Sequence, residues 1–318
     1  MINKNILLTN AGTATAVAVM RALYGQVSNI YAVDMNSFCF AKHFLGEKLL
    51  TVPPFAKTEE YKTRLLEICK EKDINYIIPC SNDDELIFFS ENFDDFVKLG
   101  ARPIISNLDT IRICDDKYKT TKYMQKLGFQ IPSTYLPEDL SKKQKNVGFP
   151  LILKSRSGNG AANVHRIPDQ EHLTFYLNKV PNAMIQECIN GEEYTIDTMS
   201  DLNGKVLVSL CRRRVSVKSG ISVKAEFIEN SDYISKVKKI LESLTVIGPC
   251  NTQVIDGRFI EINPRFSGGL GLSIAAGINL PLLCIKLFEG MPIKEKDLVY
   301  KKGSKVIRFW DEVVLGGE

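Results

Sequence analysis

The stretch that decides the fold is Phe259-Ile260-Glu261-Ile262-Asn263-Pro264-Arg265-Phe266-Ser267-Gly268-Gly269. It begins as an apolar strand that carries Glu261 and Asn263 on one face, because alternate residues of a strand point the same way. Pro264 is expected to end this strand, since proline has no N–H to donate to a neighbouring strand. Two oxygen-bearing side chains on one face suit a hard cation such as Mg²⁺, which is commonly shared with phosphates.

The same stretch ends in a cation and a glycine turn. Arg265 carries a fixed positive charge that suits phosphate oxygens, and Ser267-Gly268-Gly269 lets the backbone approach a ligand closely. An ordinary buried strand with a turn is the alternative, but it leaves Glu261 and Asn263 as buried polar groups that need partners. The order of features indicates a nucleotide-phosphate site if the chain also supplies a lysine, a glycine loop and an adenine pocket.

Composition bounds the class of protein. The chain has 318 residues, 44% hydrophobic and 25% charged, which is enough for a buried core and about two or three domains. Its 41 basic and 37 acidic residues are nearly balanced, and no basic run is interleaved with aromatics, so nucleic acid is not an expected partner. The eight cysteines lack metal-ligand spacing and an obvious histidine partner. They are expected to be reduced thiols of a cytoplasmic protein.

No membrane segment is expected. The apolar segment after Lys4 is interrupted at Asn10 and Gly12, which argues against a signal peptide. The apolar segment from Leu270 to Phe288 contains Pro281 and is expected to form two core helices joined by a turn.

The N-terminal segments predict a doubly wound α/β domain. The expected order is strand, turn, helix and strand, over residues 5–9, 10–13, 14–23 and 30–34. A dinucleotide site with Asp34 on a ribose is one interpretation. Because Ala11-Gly12-Thr13-Ala14-Thr15-Ala16 is not the G-x-G-x-x-G pattern, we favour a Rossmann-like scaffold without NAD.

Acidic residues follow a short apolar strand over 76–79. Ligands bind at the carboxyl ends of strands in open α/β sheets, which makes Asp83 within Ser81–Glu85 a candidate substrate contact. The same acids suit the first turn of a helix, whose N-terminus favours negative charge. Both interpretations stay open from the sequence.

A glycine loop follows a lysine in the middle of the chain. A helix from Lys117 to Leu127 and a polar linker up to Asn146 precede a strand that ends in Lys154. The next loop, Ser155-Arg156-Ser157-Gly158-Asn159-Gly160-Ala161-Ala162, can cradle phosphates with its backbone N–H groups. It is not a Walker loop, since its lysine precedes the glycines, and a hairpin tip is the alternative.

Three consecutive arginines, Arg212-Arg213-Arg214, follow a strand over 206–211. A charge run is usually a solvated sheet edge. A guanidinium also binds a carboxylate through parallel N–H donors, so Arg212, Arg214 and the nearby Lys218 are candidates for holding a substrate carboxylate.

Two further strands flank Asp256-Gly257, which is a strong hairpin signal. Across this hairpin, Asn251 and Gln253 are expected to face Glu261 and Asn263. The oxygen-bearing face of the opening stretch would then be enlarged by a second strand.

Taken together, these segments resemble the ATP-grasp superfamily, in the version of the carbamoyl-phosphate synthetase large subunit and small stand-alone carboxylate–amine ligases. The resemblance covers essentially the whole chain and is strongest over 250–269, where Asn-Thr-Gln-Val-Ile and Glu-Ile-Asn-Pro-Arg-Phe-Ser-Gly-Gly stand almost as in the family. It implies an α/β plus α+β fold with ATP between a lid and a C-terminal domain. The implied domains are a Rossmann-like pre-ATP-grasp domain over 1–107, a linker helix and lid over 108–190, and a C-terminal ATP-grasp domain over 191–318.

The resemblance also implies contacts with ATP. Lys117 and Lys154 match the cations on its phosphates, the hinge from Gln186 to Ile189 matches the backbone that meets adenine, and Glu193 matches the ribose acid. The loop from Ser157 to Ala162 resembles the one that covers the phosphates. The implied cofactor-binding residues are Lys117, Lys154, Ser157, Gly158, Gly160, Gln186, Glu187, Cys188, Ile189 and Glu193.

Gln253, Glu261 and Asn263 match the family's ligands for Mg²⁺, with Mn²⁺ as the alternative metal. Many members have an acid at the position of Gln253, but the synthetase branch also has glutamine, so we interpret it as a mark of that branch. With a single carboxylate, metal binding is expected to depend on the charge of the nucleotide. The implied catalytic residues are Arg265, Lys154 and Gly268.

The implied reaction joins a small-molecule carboxylate to an amine through an acylphosphate and releases ADP and phosphate. A small-molecule kinase that stops at an acyl- or carboxyphosphate and a non-catalytic ATP-binding module are the alternatives. Complete carbamoyl-phosphate synthesis is not expected, because the full synthetase has two ATP-grasp units and this chain has one. Neither nucleic acid nor membrane is an expected partner. Whether the chain forms a homodimer stays open from the sequence.

Overall fold

The computed structural model describes residues 1–55, 59–80, 83–142, 148–158, 163–309 and 311–315, without the side chains of residues 141 and 142. Its strands form three sheets of five, four and six strands. None of the helices within these ranges is long and apolar enough to cross a bilayer.

The N-terminal part forms a parallel five-stranded sheet flanked by helices. The strands are β1 Ile2–Leu8, β2 Val27–Asp34, β3 Leu49–Thr51, β4 Tyr76–Ile78 and β5 Arg102–Pro103. The helices are α1 Ala14–Leu23, α2 Phe40–Leu45, α3 Glu59–Glu71, α4 Asp83–Glu91, α5 Phe93–Lys98 and α6 Leu108–Asp115. The strand order is β3-β2-β1-β4-β5. The strand order therefore changes direction between the parallel strands β1 and β4, and in such sheets the carboxyl ends at this point border a crevice.

A smaller antiparallel sheet follows, in the order β6-β9-β7-β8. The elements are α7 Lys117–Lys126, β6 Thr134–Tyr135, α8 Pro137–Lys142, β7 Leu151–Ser155, β8 Val164–Ile167, α9 Gln170–Leu177 and β9 Ala183–Glu187. Its apolar core includes Leu151, Leu153, Ile167 and Leu173, because alternate strand residues face the covering helix.

The C-terminal part is built on an antiparallel sheet in the order β14-β13-β10-β11-β12-β15. The elements are β10 Glu193–Ser200, β11 Val206–Lys218, β12 Ile221–Ile228, α10 Ser231–Ser243, β13 Gly248–Ile255, β14 Arg258–Asn263, α11 Leu270–Ala275, α12 Leu280–Phe288 and β15 Lys305–Ile307. One apolar cluster joins this part to the first sheet through Ala18 and Val19 of α1 and Leu272 and Leu283 of the C-terminal helices. The small residues of α1 allow these helices to pack closely.

Several predicted elements have the expected bounds. The helix over 14–23 is α1, the segment 270–288 forms two helices, and β14 ends at Asn263 directly before Pro264. The predicted division into domains at 107 and 190 stays a prediction, although the strands of the three sheets fall within 2–103, 134–187 and 193–307.

Two predictions are corrected by the fold. The predicted linker up to Asn146 contains β6 and α8, since Thr134 pairs with Gln186 and Pro137 begins a helical turn. The arginine triplet is not a solvated sheet edge, because it lies inside the long strand β11, between β10 and β12. Ser81, Asn82 and the loop residues 159–162 lie outside the described residues.

Candidate functional site

A cavity of about 700 Å³ lies between the four-stranded and six-stranded sheets, and the start of α1 forms one end. The predicted site residues that line it are Lys117, Lys154, Ser157, Gly158, Gln186, Glu187, Cys188, Ile189, Glu193, Arg212, Arg214, Gln253, Glu261, Asn263, Arg265 and Gly268. Asp83 and Lys218 do not line it, and Gly160 lies outside the described residues. Residues distant in the sequence therefore converge on one cavity, while their individual roles stay predictions.

The predicted metal ligands meet across the β13–β14 hairpin, as expected. Gln253 lies opposite Glu261, and Asn251 lies opposite Asn263. Asn263 Nδ2 donates to Glu261 Oε1 at 3.1 Å and to Asn251 Oδ1 at 3.3 Å, which turns its carbonyl oxygen away from these two partners.

The side-chain oxygens of Gln253, Glu261 and Asn263 suit a hard cation that takes its remaining ligands from a nucleotide. It offers one carboxylate and two amide oxygens, which Mg²⁺ accepts. Among the described residues, no three or more His, Cys, Asp or Glu side chains are grouped so that they could hold a metal ion. A metal at Glu261 would therefore depend on oxygen ligands from a bound phosphate.

Lys154 is a buried lysine in the cavity wall. It is the penultimate residue of β7, and only 6% of its surface is exposed. Burial lowers the pKa of Lys154 to about 8, an effect that Glu261 opposes and Lys117 reinforces. A phosphate beside this ammonium would raise the pKa of Lys154 again, because an opposite charge favours ionisation.

Lys117 ties the start of α7 to the loop after β7. Its ammonium donates to the carbonyl of Gly158, and its backbone N–H donates to the carbonyl of Arg156 at 2.8 Å. The guanidinium of Arg156 in turn contacts Asp116 at 2.5 Å. The first residues of the predicted phosphate loop are therefore fixed against the helix that carries the second lysine.

The predicted hinge lies at the end of β9. Gln186 is buried and its side chain donates to Thr134 Oγ1 at 3.0 Å. Glu187 accepts from Arg258 at 2.5 Å and from the N–H of Ser133 at 3.2 Å. The apolar residues that line the cavity include Pro132, Ile152, Ile189, Ile255 and Ile260. Apolar walls beside strand-end backbone suit a flat base, which needs few polar contacts.

Two of the three arginines are buried ion-pair partners. Arg212 Nε donates to Asp197 at 2.8 Å and its Nη1 to Ser222 at 2.8 Å. Arg214 contacts Glu193 at 2.7 Å. Arg212 and Arg214, which are predicted to hold a substrate carboxylate, therefore contact carboxylates of β10 in this structure. Their role towards a substrate stays a prediction.

The glycine turn is shaped by the same network. A Cβ on Gly269 would lie 2.8 Å from Arg212 Cζ, and one on Gly268 would lie 3.1 Å from Ile221 Cγ1. Glycine is required at position 269 because the buried guanidinium occupies the space of a side chain. The turn is therefore packed tightly against β11 and β12.

Arg265 is held by Asp83. Its Nε donates to Asp83 Oδ1 at 2.6 Å, and both side chains are 11% exposed. Asp83 also opens the first turn of α4, which was the alternative interpretation of this acid. Burial opposes the charge of Arg265, but the attraction and hydrogen bond of Asp83, together with Glu261, raise its pKa, so the guanidinium is a permanent charge.

Sequence reasoning missed the contribution of the N-terminal part. Thr13, Ala14 and Thr15 line the cavity, and Thr15 Oγ1 donates to the carbonyl of Ser267 at 3.3 Å. In the sequence, the turn before α1 shows only a weak dinucleotide pattern. No local signal connects it to Ser267, because the contact joins segments at opposite ends of the chain.

Comparison with known proteins assigns the fold. Residues 179–310 match a family described as ATP-grasp in the biosynthetic pathway with Ter operon, and residues 6–104 match the PylC-like N-terminal domain. The chain has an ATP-grasp fold. Its mixed α/β architecture of one parallel and two antiparallel sheets is that of its ATP-grasp neighbours.

Among solved structures, the ATP-grasp chain is similar to the biotin carboxylase domain of Hydrogenobacter thermophilus 2-oxoglutarate carboxylase, determined with MgADP, ADP and bicarbonate. The TM-score is 0.76 at 15% identity, over 94% of this chain and 73% of that one. It is also similar to an L-amino acid ligase from Bacillus licheniformis, with a TM-score of 0.69 at 18% identity, over 93% and 76% of the two chains. These likenesses establish the fold.

A curated relative is the carbamoyl phosphate synthase large chain of Methanothermobacter thermautotrophicus. It is 24% identical over 223 residues, which is 62% of this chain and 21% of the relative. The ATP-grasp chain thus matches about a fifth of the length of that protein.

Proposed function

We propose that this ATP-grasp chain is an ATP-dependent ligase that joins a small-molecule carboxylate to an amine through an acylphosphate. The observation that carries the proposal is that one cavity is lined by all the predicted groups: the two lysines, the hinge from Gln186 to Ile189, the metal ligands and Arg265. Solved relatives of this fold include a carboxylase domain with bound MgADP and an amino acid ligase, which supports ATP and Mg²⁺ as the cofactors.

In this proposal the adenine lies at the hinge and the phosphates extend towards the glycine turn. Lys117 and Lys154 bind phosphate oxygens, and Glu193 accepts from the ribose hydroxyls. Gln253, Glu261 and Asn263 would hold Mg²⁺, which would neutralise part of the phosphate charge. Catalysis of this kind is positioning plus neutralisation of the phosphoryl charge.

The chemistry then takes two steps. A carboxylate oxygen attacks the γ-phosphorus, and the bond from that phosphorus to ADP breaks while Arg265 faces the transferring group. The amine nitrogen next attacks the acyl carbon, phosphate leaves, and the nitrogen proton passes to solvent. In this proposal the backbone N–H groups of Gly268 and Gly269 donate to the acyl oxygen.

A kinase that stops at an acyl- or carboxyphosphate is the second candidate. It is favoured by the similarity to carbamoyl phosphate synthase large chains. The two candidates differ in whether a second, nitrogen-bearing substrate is consumed.

The test is ADP release from MgATP against a panel of amino acids and small carboxylates, each with and without ammonia or a second amine. A ligase needs an acid and an amine together and forms an amide, whereas a kinase needs the acid alone. ATP binding without turnover across the panel would favour a binding module.

A variant tests the metal assignment in the same assay. Glu261→Ala should reduce ADP release by at least about a hundredfold, since loss of one electrostatic contact in a closed site costs about that much. Glu226→Ala in β12, which removes a carboxylate paired with Arg213 away from the cavity lining, is the control. Unchanged turnover in Glu261→Ala would exclude this site, provided that both variants keep the circular dichroism spectrum of the wild type.

A further inference from the structure

The hairpin between β11 and β12 forms a wall of the cavity. Its turn residues Ser219 and Gly220 both have positive φ, at 49° and 75°, which is typical of a tight two-residue hairpin turn. The wall residues around the turn are Val217, Ser219, Gly220, Ile221 and Ser222. The turn is therefore part of the cavity wall.

A single buried side chain joins this wall to the predicted ribose acid. Arg214 Nη1 lies 2.7 Å from Glu193 Oε1, and Nη2 donates to the carbonyl of Gly220 at 2.6 Å. Only 4% of the Arg214 side chain is exposed, against 29% for Glu193. Arg214 Nε is buried and has no hydrogen-bond partner within the described part of the chain.

The fork geometry matters because Arg214 binds two groups that could otherwise move independently. Glu193 belongs to β10, whereas Gly220 lies in a turn of the next hairpin. A guanidinium has donors fixed in one plane, so displacement of the carboxylate is transmitted to the carbonyl. Lysine carries the same charge but is a point donor on a flexible stem, so it cannot hold both groups in one geometry.

The surrounding charges give Arg214 a second effect. Burial raises the pKa of Glu193, Arg214 and Arg212 of β11 oppose this, and Glu261 of β14 reinforces it. Arg214 therefore favours the ionised carboxylate, which is the form that accepts from two hydroxyl groups.

We propose that Arg214 is a positioning residue that couples a nucleotide bound at Glu193 to the β11–β12 hairpin, so that the hairpin closes on the cavity when the ribose is seated. This inference rests on the proposed binding of nucleotide at this site. It adds a connection, through Arg214, by which binding of the ribose at Glu193 would change the position of the β11–β12 hairpin.

The experiment uses MgADP as the probe, with binding measured by calorimetry and the hairpin followed by amide hydrogen exchange over residues 215–223. In the wild type, MgADP should slow exchange in this segment. Arg214→Met should weaken MgADP binding by about tenfold to a hundredfold, the range for a lost hydrogen bond to a charged group. This loss should diminish as the pH rises, because Glu193 ionises later without the guanidinium.

Arg214→Lys separates the two effects. It should bind MgADP within about threefold of the wild type, since the charge beside Glu193 remains, yet show no hairpin protection, since the fork is gone. The control is Arg213→Met, an arginine on the same strand whose partners are Glu192 and Glu226 and which does not line the cavity. It should behave as the wild type.

The outcomes are distinguishable. If the wild type does not bind MgADP, the proposed function and the coupling both fail. If the wild type binds MgADP and Arg214→Lys shows the same hairpin protection, the coupling alone is overturned. Loss of protection in Arg213→Met would also overturn it, because the effect would not then be specific to the fork.

Discussion

Replacing Lys154 with methionine should stabilise the unliganded protein while it weakens nucleotide binding. Burial lowers the pKa of Lys154 from 10.5 to about 8. The ammonium is therefore less favourable in the folded protein than in the unfolded chain. At about 1.4 kcal/mol per pH unit, this difference corresponds to about 3 kcal/mol as an upper bound.

The sign and the pH window follow from proton linkage. Below about pH 8 both folded and unfolded chains carry the ammonium, and the full penalty is present. Between about pH 8 and 10.5 the folded protein releases the proton first, so the penalty falls and wild-type stability rises. Lys154→Met should raise the free energy of unfolding by up to about 3 kcal/mol near pH 7, and by little near pH 10.5.

Urea unfolding near pH 7 and near pH 10 measures the stability, and calorimetry with MgADP measures the affinity. Binding should weaken by about tenfold or more, since a bond between a charged donor and phosphate is lost. Lys119→Met on the exposed face of α7 is the matched control and should change neither quantity. The reasoning is refuted if Lys154→Met is less stable than the wild type near pH 7, or if it binds MgADP unchanged.

Two further substitutions test the packing and the buried charges. Gly269→Ala should lower the thermal midpoint, because its Cβ would lie 2.8 Å from Arg212 Cζ; Gly148→Ala, with open space around its Cβ, is the control, and equal midpoints would contradict the argument. Glu85→Gln should remove a pH dependence of stability, since burial raises the pKa of Glu85 from 4.5 to about 7. Between about pH 4.5 and 7, the folded protein keeps a proton on Glu85 that the unfolded chain has released. Wild-type stability should therefore fall by up to about 3 kcal/mol as the pH rises across this range. Urea unfolding across that range checks it, and parallel curves for variant and wild type would refute the assignment.

The sequence by itself determined the features that depend on near neighbours. The helix over 14–23, the hairpin at Asp256-Gly257 and the end of β14 before Pro264 follow from residue periodicity, turn residues and the missing proline N–H. The pairing of Gln253 with Glu261 follows from the same hairpin register. These predictions needed only a few adjacent residues, so they could be made without the fold.

Tertiary structure determined which partners the buried charged side chains bind. The sequence indicated the positive sign of Arg212 and Arg214, but Asp197 and Glu193 become their partners only when β10 pairs with β11. Asp83 and Arg265 are 182 positions apart in the chain, yet they form one ion pair. The partner of a buried charge is determined by which segments pack together, and local periodicity contains no information about that packing.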